Sequence, residues 1–245
     1  MSRRALTALR ALVLAAFSLA SIDRQATAQV SPTWGAVPLN DLGPGSYQGF
    51  AGGLYPGGMN LPPASHDSLG NVMAARVTPL TLSGTPDPLN GKIVLLSIGM
   101  SNTTQEFSVF KALADTDRAR NRRLTIVDGA QGGQTAAIID DSTANFWKVV
   151  DQRLASANVS RQQVQAVWAK EADANPTAPF PLHAQRLDSE CVRIVRILKA
   201  RFPNLRLCYW SSRIYGGYAT TTLNPEPFAY ESGFAIKWLI ERQIR

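Results

Sequence analysis

The apolar run Lys92-Ile93-Val94-Leu95-Leu96-Ser97-Ile98 leads straight into Gly99-Met100-Ser101-Asn102 and then into a helix-like stretch from about Thr104. A serine at such a strand-to-helix turn projects from a rigid support. Glycine permits the tight backbone there, and a helix N-terminus offers amides and partial positive charge to a developing oxyanion. Ser101 is therefore the candidate nucleophile. A nucleophilic serine also needs a base. The chain has two histidines, His66 (followed by Asp67) and His183, and no Asp-x-x-His follows Asp188. His66 could supply a base, because triads are defined by geometry and not by chain order, but its expected role is hydrogen bonding within a loop. His183 opens a long helix, where a structural or capping role is expected.

The elements that must position Ser101 alternate in type after Gly91. The pattern predicts a strand Ile93 to Ile98, a helix from about Thr104 to Asp117, a strand Leu124 to Val127 and a Gly-rich turn Asp128-Gly129-Ala130-Gln131-Gly132-Gly133. A helix from about Asn145 to Ala157, a strand Ala166 to Ala169, a helix from about Leu182 to Arg201, a strand Leu205 to Trp210 and a helix from about Ala229 to Gln243 follow. Alternating strands and helices imply an α/β fold with a parallel sheet covered on both faces and ligands at the carboxyl ends of its strands. Ser101, Gly133, Asp173 and Arg213 each follow a strand and should meet at that edge. Pro203 stops the long helix, and Pro179 and Pro181 keep the chain extended before it. Phe234 and Trp238, one turn apart on the last helix, are expected in the core.

Between Gln29 and about Asn90 the chain is rich in Gly and Pro, as in Gly43-Pro44-Gly45, Pro56-Gly57-Gly58 and Pro62-Pro63. This composition predicts an irregular cap over the domain. Tyr47, Phe50, Leu54 and Tyr55 argue against a free linker, which would have little use for them.

Composition limits the rest. At 245 residues the chain can bury one substantial core, a single domain with an N-terminal extension. Arg3, Arg4 and Arg10 precede the apolar run Ala11 to Ile22, and Ala26-Thr27-Ala28 has the small-x-small form of a cleavage site. Residues 1–28 thus read as an export signal, with a secreted or periplasmic product. The apolar run is too short for a stable membrane anchor. Without those residues, which include four arginines and Asp23, the net charge falls from +7 to +4. Arg118, Arg120, Arg122 and Arg123 form a local run with no aromatic platform beside it. It reads as a solvated face, and nucleic acid is not an expected partner. Cys191 and Cys208 have no zinc or redox spacing and read as two thiols, although export would permit a bridge.

Three blocks carry a family resemblance: Gly99-Met100-Ser101-Asn102, then Gly133-Gln134-Thr135, then Trp168-Ala169-Lys170-Glu171-Ala172-Asp173. In order and in position after successive strands they resemble the first three blocks of the SGNH (GDSL-like) hydrolases. The Gly-x-Ser-Asn form looks most like the carbohydrate acetylesterase branch, including sialate O-acetylesterase-like proteins. The resemblance covers roughly Gly91 to Arg213. It implies a three-layer α/β/α sandwich with a mostly parallel, flavodoxin-like sheet. It also implies a serine esterase needing no cofactor or metal, acting on a small-molecule or carbohydrate ester. Ser101 matches the nucleophile, and the amides of Ser101 and Gly133 with the side chain of Asp173 match the oxyanion-hole positions. Asn102 and Lys170 are expected substrate contacts. The loop Ser211 to Tyr218 after the fourth strand combines a fixed charge, two phenols and flexible backbone, which suits the wall of a polar-ligand site, with Arg213 contacting a carboxylate or sugar hydroxyls and Tyr215 stacking on a ring.

Two departures stand out. The family usually has Asn where this chain has Asp173, and an ionised carboxylate repels an oxyanion unless burial or neighbours keep it protonated. The family's Asp-x-x-His is missing. A shortened hydrolase, an inactive member that binds a glycan or protein in the same crevice, and an enzyme with a recruited base all fit that pattern.

Overall fold

The computed structural model describes residues 36–213 and 221–245, which lie within one compact unit, Pro32–Arg245. Residues 1–28, the expected export signal, and Tyr215 fall outside the described residues. The Gly/Pro-rich segment is more regular than its composition predicts. It holds a short helix α1 (Leu39–Leu42), an antiparallel hairpin of β1 (Ser46–Tyr47) and β2 (Phe50–Ala51), and an 11-residue helix α2 (Ala64–Ala74). The reason is local: the Pro62-Pro63 pair stops short of α2, whose own residues include no proline and one glycine, and Asp67 lies in its first turn, where the helix dipole favours a carboxylate. The glycines serve close approach instead. At Gly53, with φ of +72°, a Cβ would lie 2.3 Å from the carbonyl carbon of Gly58.

This segment is packed, as its aromatic residues require. Leu39, Tyr230 and Phe234 are buried together, with Tyr47, Phe50, Leu54, Phe180 and Trp238 against them. The Tyr47 ring meets Phe180 edge-on at 5.2 Å and Tyr230 at 5.4 Å.

The sheet has four parallel strands, β3 (Ile93–Gly99), β4 (Leu124–Asp128), β5 (Val164–Lys170) and β6 (Leu207–Ser211), in the order β4-β3-β5-β6. Its helices are α3 (Ser101–Thr116), α4 (Ala136–Ile139), α5 (Asn145–Ser156), α6 (Leu182–Arg201) and α7 (Phe228–Ile244). β3 is central, and six of its seven residues are buried, which is why it reads as a continuous apolar run. Val94, Leu96 and Ile98 share one buried cluster with Trp147 and Leu154 of α5, Ile194 and Leu198 of α6, and Ala235 and Leu239 of α7. Phe107 of α3 stacks on Trp168 of β5, with ring centroids 5.7 Å apart. The fold is thus mixed α/β, a parallel sheet flanked by helices.

Cys191 is buried, Cys208 is exposed, and both are free thiols. Within the arginine run, Arg120 pairs with Asp115 at the surface. Among the described residues no helix is long and apolar enough to cross a membrane.

Candidate active site

Ser101 is exposed and is the first residue of α3, three positions earlier than the pattern predicts. Met100 remains extended (φ −97°, ψ −160°), so the chain turns into the helix at the serine itself. The turn is fixed from below. Thr103 is fully buried and donates its hydroxyl to the Lys170 carbonyl at 2.7 Å. A Cβ on Gly99 would lie 2.3 Å from both that carbonyl oxygen and Thr103 Oγ1, so only glycine lets β3 pass so close to the end of β5.

The next crossover is tied to the same point. The Gln131 amide donates to the Gly99 carbonyl at 2.9 Å. Buried Ser97 donates to Asp128 Oδ1 and accepts from the Gly129 amide at 3.0 Å, while Thr104 of α3 donates to the other oxygen of Asp128. These bonds carry the Gly-rich turn across Ser101, so that a Cβ on Gly132 would stand 3.9 Å from Ser101 Cβ. Gly133 follows with φ of +74° and nothing within 4 Å of its own Cβ position. The backbone there is left-handed, which favours glycine, and the space on its Cβ side is open.

The third loop joins from β5. Asp173 Oδ1 accepts from the Ala137 amide at 3.2 Å, and the Ala172 carbonyl accepts from the Ala136 amide at 3.3 Å. From the other side, Asn224 Nδ2 donates to the Asp173 carbonyl at 2.7 Å, and the Asn175 amide to the Leu223 carbonyl at 2.6 Å. Ser101 is thereby placed beside the Gly132-Gly133 turn, and Asp173 against the first residues of α4 immediately beyond that turn.

The other expected contacts divide. Lys170 pairs with Glu106 of α3. Asn102 Oδ1 accepts from the Thr103 amide at 3.0 Å. Arg213 follows β6, and its carbonyl packs so closely on α7 that a Cβ on Gly233 would lie 2.5 Å from it. Its Nη1 is buried and lacks a hydrogen-bond partner. His66 lies on α2 beside the Tyr55 ring, with centroids 6.1 Å apart.

Three buried carboxyls, Glu231, Glu171 and Glu190, were not singled out by sequence. His183 Nε2 lies 2.6 Å from Glu231 Oε2, and Tyr47 donates to Glu231 Oε1 at 2.6 Å. This trio, in which His183 and Glu231 are buried and Tyr47 is half-buried, joins the N-terminal hairpin to α6 and α7. Burial lowers the basicity of His183 and raises the Glu231 carboxyl. Glu171 and Glu190 are 3% and 2% exposed. Burial drives the Glu171 carboxyl well above the ordinary range, with the charges of Asp173 and Glu190 adding to the effect. Burial, and then the facing Asp173, push Glu190 up to about 7. Glu190 does carry a sequence signal: it falls on the stripe Leu187, Cys191, Ile194, Leu198, where the residues around it are apolar.

No protein-family model matches the chain, and no curated protein matches it either.

Proposed function

We propose that this chain is an exported serine ester hydrolase of the SGNH type, built on a three-layer α/β/α sandwich and acting on O-acyl groups of a carbohydrate. The observation that carries the reading is the juxtaposition of an exposed Ser101 at the start of α3 with the Gly132 backbone, 3.9 Å away at the Cβ positions, followed by the left-handed Gly133. In this reading Ser101 Oγ attacks the acyl carbon and the Ser101 and Gly133 amides receive the carbonyl oxygen as it becomes an oxyanion. The proton given up by the Ser101 hydroxyl leaves with the alcohol, and water then cleaves the acyl-serine, releasing the carboxylic acid and restoring the hydroxyl. Arg213 and Asn102 are the proposed contacts to the sugar.

The test is hydrolysis of short acyl esters and acetylated sugars by the protein and by Ser101→Ala. Turnover that falls to background in the variant supports the reading, and equal background rates refute it. A second reading, a non-catalytic member that binds a glycan or protein through the same crevice, is favoured by one observation: His183 is committed to Glu231 inside the core. Binding of acetylated sugars without turnover, unchanged in Ser101→Ala, would select it.

A further inference from the structure

The four parallel strands all begin at one edge of the sheet, opposite the candidate site, and that edge is basic. Lys92 immediately precedes β3, Arg123 precedes β4 and Arg206 precedes β6. Backbone bonds hold them in a row: the Ile93 amide donates to the Arg123 carbonyl at 2.9 Å, and the Arg206 amide to the carbonyl of Gln165, the second residue of β5, also at 2.9 Å. With neighbouring strands about 4.8 Å apart, the row from β4 to β6 is about 14 Å long. Arg118 and Arg122, in the loop between α3 and β4, extend it. Arg118, Arg122 and Arg206 are exposed, and Lys92 and Arg123 are half-buried. Among the described residues none of these five side chains makes a hydrogen bond or an ion pair, so they do not serve the helix C-termini that point to the same edge. The neighbouring acids are engaged elsewhere. Asp115 holds Lys111 and Arg120, Asp151 holds Arg161 and Arg201, and Asp87 and Asp117 accept from backbone amides of their own turns.

The same edge carries exposed leucines on a pinned loop. Leu80 and Lys92 exchange backbone bonds at 2.9 and 2.8 Å and close the segment 81–91. It lies over the starts of β5 and β6: Ser160 donates to the Leu82 carbonyl at 2.7 Å, and a Cβ on Gly84 would stand 3.0 Å from Asn204 Nδ2. Leu82 and Leu89 of this loop are 62% and 74% exposed. A soluble polyanion would satisfy the cations and leave the leucines in water. An anionic bilayer satisfies both, because leucine enters the acyl boundary while Lys and Arg stay at the headgroups. We propose that the amino edge of the sheet is a docking face for an anionic phospholipid bilayer, with Leu82 and Leu89 entering the interface and the five cations against the headgroups. The association is peripheral and needs no membrane-spanning segment. β3 is seven residues long, so Ser101 lies about 23 Å away at the opposite edge and stays open to solution. The docking face is therefore independent of the hydrolase reading.

Co-sedimentation of the full chain with vesicles of phosphatidylcholine, alone or mixed with phosphatidylglycerol, tests it. Binding should require phosphatidylglycerol and weaken as salt screens the headgroups. Arg122→Gln with Arg206→Gln should weaken partitioning about twentyfold, since one cation beside an anionic leaflet strengthens binding about fivefold. Lys148→Gln with Arg196→Gln removes the same charge from exposed positions on α5 and α6 and should leave binding near that of the parent. Leu82→Ser with Leu89→Ser should lower partitioning about tenfold or more at any salt concentration. Residues 1–28 are the same in every variant, so the differences among variants report the edge. Vesicle binding that does not depend on phosphatidylglycerol would overturn the proposal. Equal losses from the two charge pairs would overturn it as well, because they would reduce the effect to net charge. Equal affinity for heparin, with vesicle binding that the leucine substitutions leave unchanged, would make the edge a polyanion face and overturn the lipid assignment.

Discussion

The Gln131 amide donates to the Gly99 carbonyl at 2.9 Å, and this bond aligns the first two crossovers of the sheet. It joins the residue that ends β3 to the turn that passes Ser101. The same Gly99 lies against the end of β5, so one glycine sets the spacing of all three loops at the candidate site. Gly99→Ala would put a Cβ 2.3 Å from a backbone oxygen that cannot swing aside. The expected loss is about 3 kcal/mol, the upper part of the overpacking range. Urea denaturation measures it, and a loss within about 0.5 kcal/mol, that of an ordinary surface change, would mean that the three loops are not locked together there.

Gly132 offers the contrasting case. Its backbone does not demand glycine, and an added Cβ would meet only Ser101 Cβ at 3.9 Å, an ordinary contact. Gly132→Ala should therefore fold with stability close to that of the parent. The methyl group would nonetheless intrude into the space where an acyl group must sit beside the serine, and misplacing reactants by a fraction of their contact distance is costly. Ester turnover should fall about tenfold or more. Unchanged kcat/KM would show that the substrate approaches Ser101 from another side.

The order of strands and helices was legible because each carries its own period. β3 is an unbroken apolar run, and α6 repeats its apolar stripe over 20 residues. The start of α3 was misplaced because Ser101, Asn102 and Thr103 read as turn residues. Tertiary bonds, Thr103 to Lys170 and Thr104 to Asp128, draw them into the helix. α2 was missed because the surrounding glycines and prolines masked a locally helical stretch. The strand-to-helix turn at Ser101 and the Gly-rich turn that ends at Gly133 were legible because turn chemistry is local. Glu190 shows only as a charge on the apolar stripe of α6, and the pairing of His183 with Glu231 could not be read at all, because it joins residues tens of positions apart through packing that no local pattern encodes.

The buried acids predict how stability varies with pH. Glu190 is raised from 4.5 to about 7, so the folded state binds its proton more tightly than the unfolded chain. Its stabilising contribution is complete below 4.5 and is lost as pH rises through about 7, and Glu171, raised by burial, acts in the same direction. His183 acts oppositely. Its basicity is lowered from 6.5 by burial, so its contribution is complete above 6.5 and is lost as pH falls through the lower folded value. Glu190→Gln should leave a protein whose melting temperature declines less between about pH 5 and about pH 8 than the parent's. An identical pH profile would show that Glu190 is ionised throughout that range.

Tyr47 tests how the N-terminal segment is held. Its hydroxyl donates to Glu231 Oε1 at 2.6 Å while His183 occupies Oε2, and its ring packs among Phe180, Tyr230 and Phe234. Tyr47→Phe keeps the ring packing and removes one donor from a buried carboxyl. A hydrogen bond to such a group contributes about 1.5–3 kcal/mol, and the Glu231 carboxyl, already raised by burial, should rise further. The loss should be local as well as global, because the hairpin reaches α7 through this contact. Hydrogen exchange at residues 45–52 should accelerate in the variant more than exchange in β3 and β5. Equal acceleration everywhere would mean that the hairpin and the sheet open as a single cooperative unit.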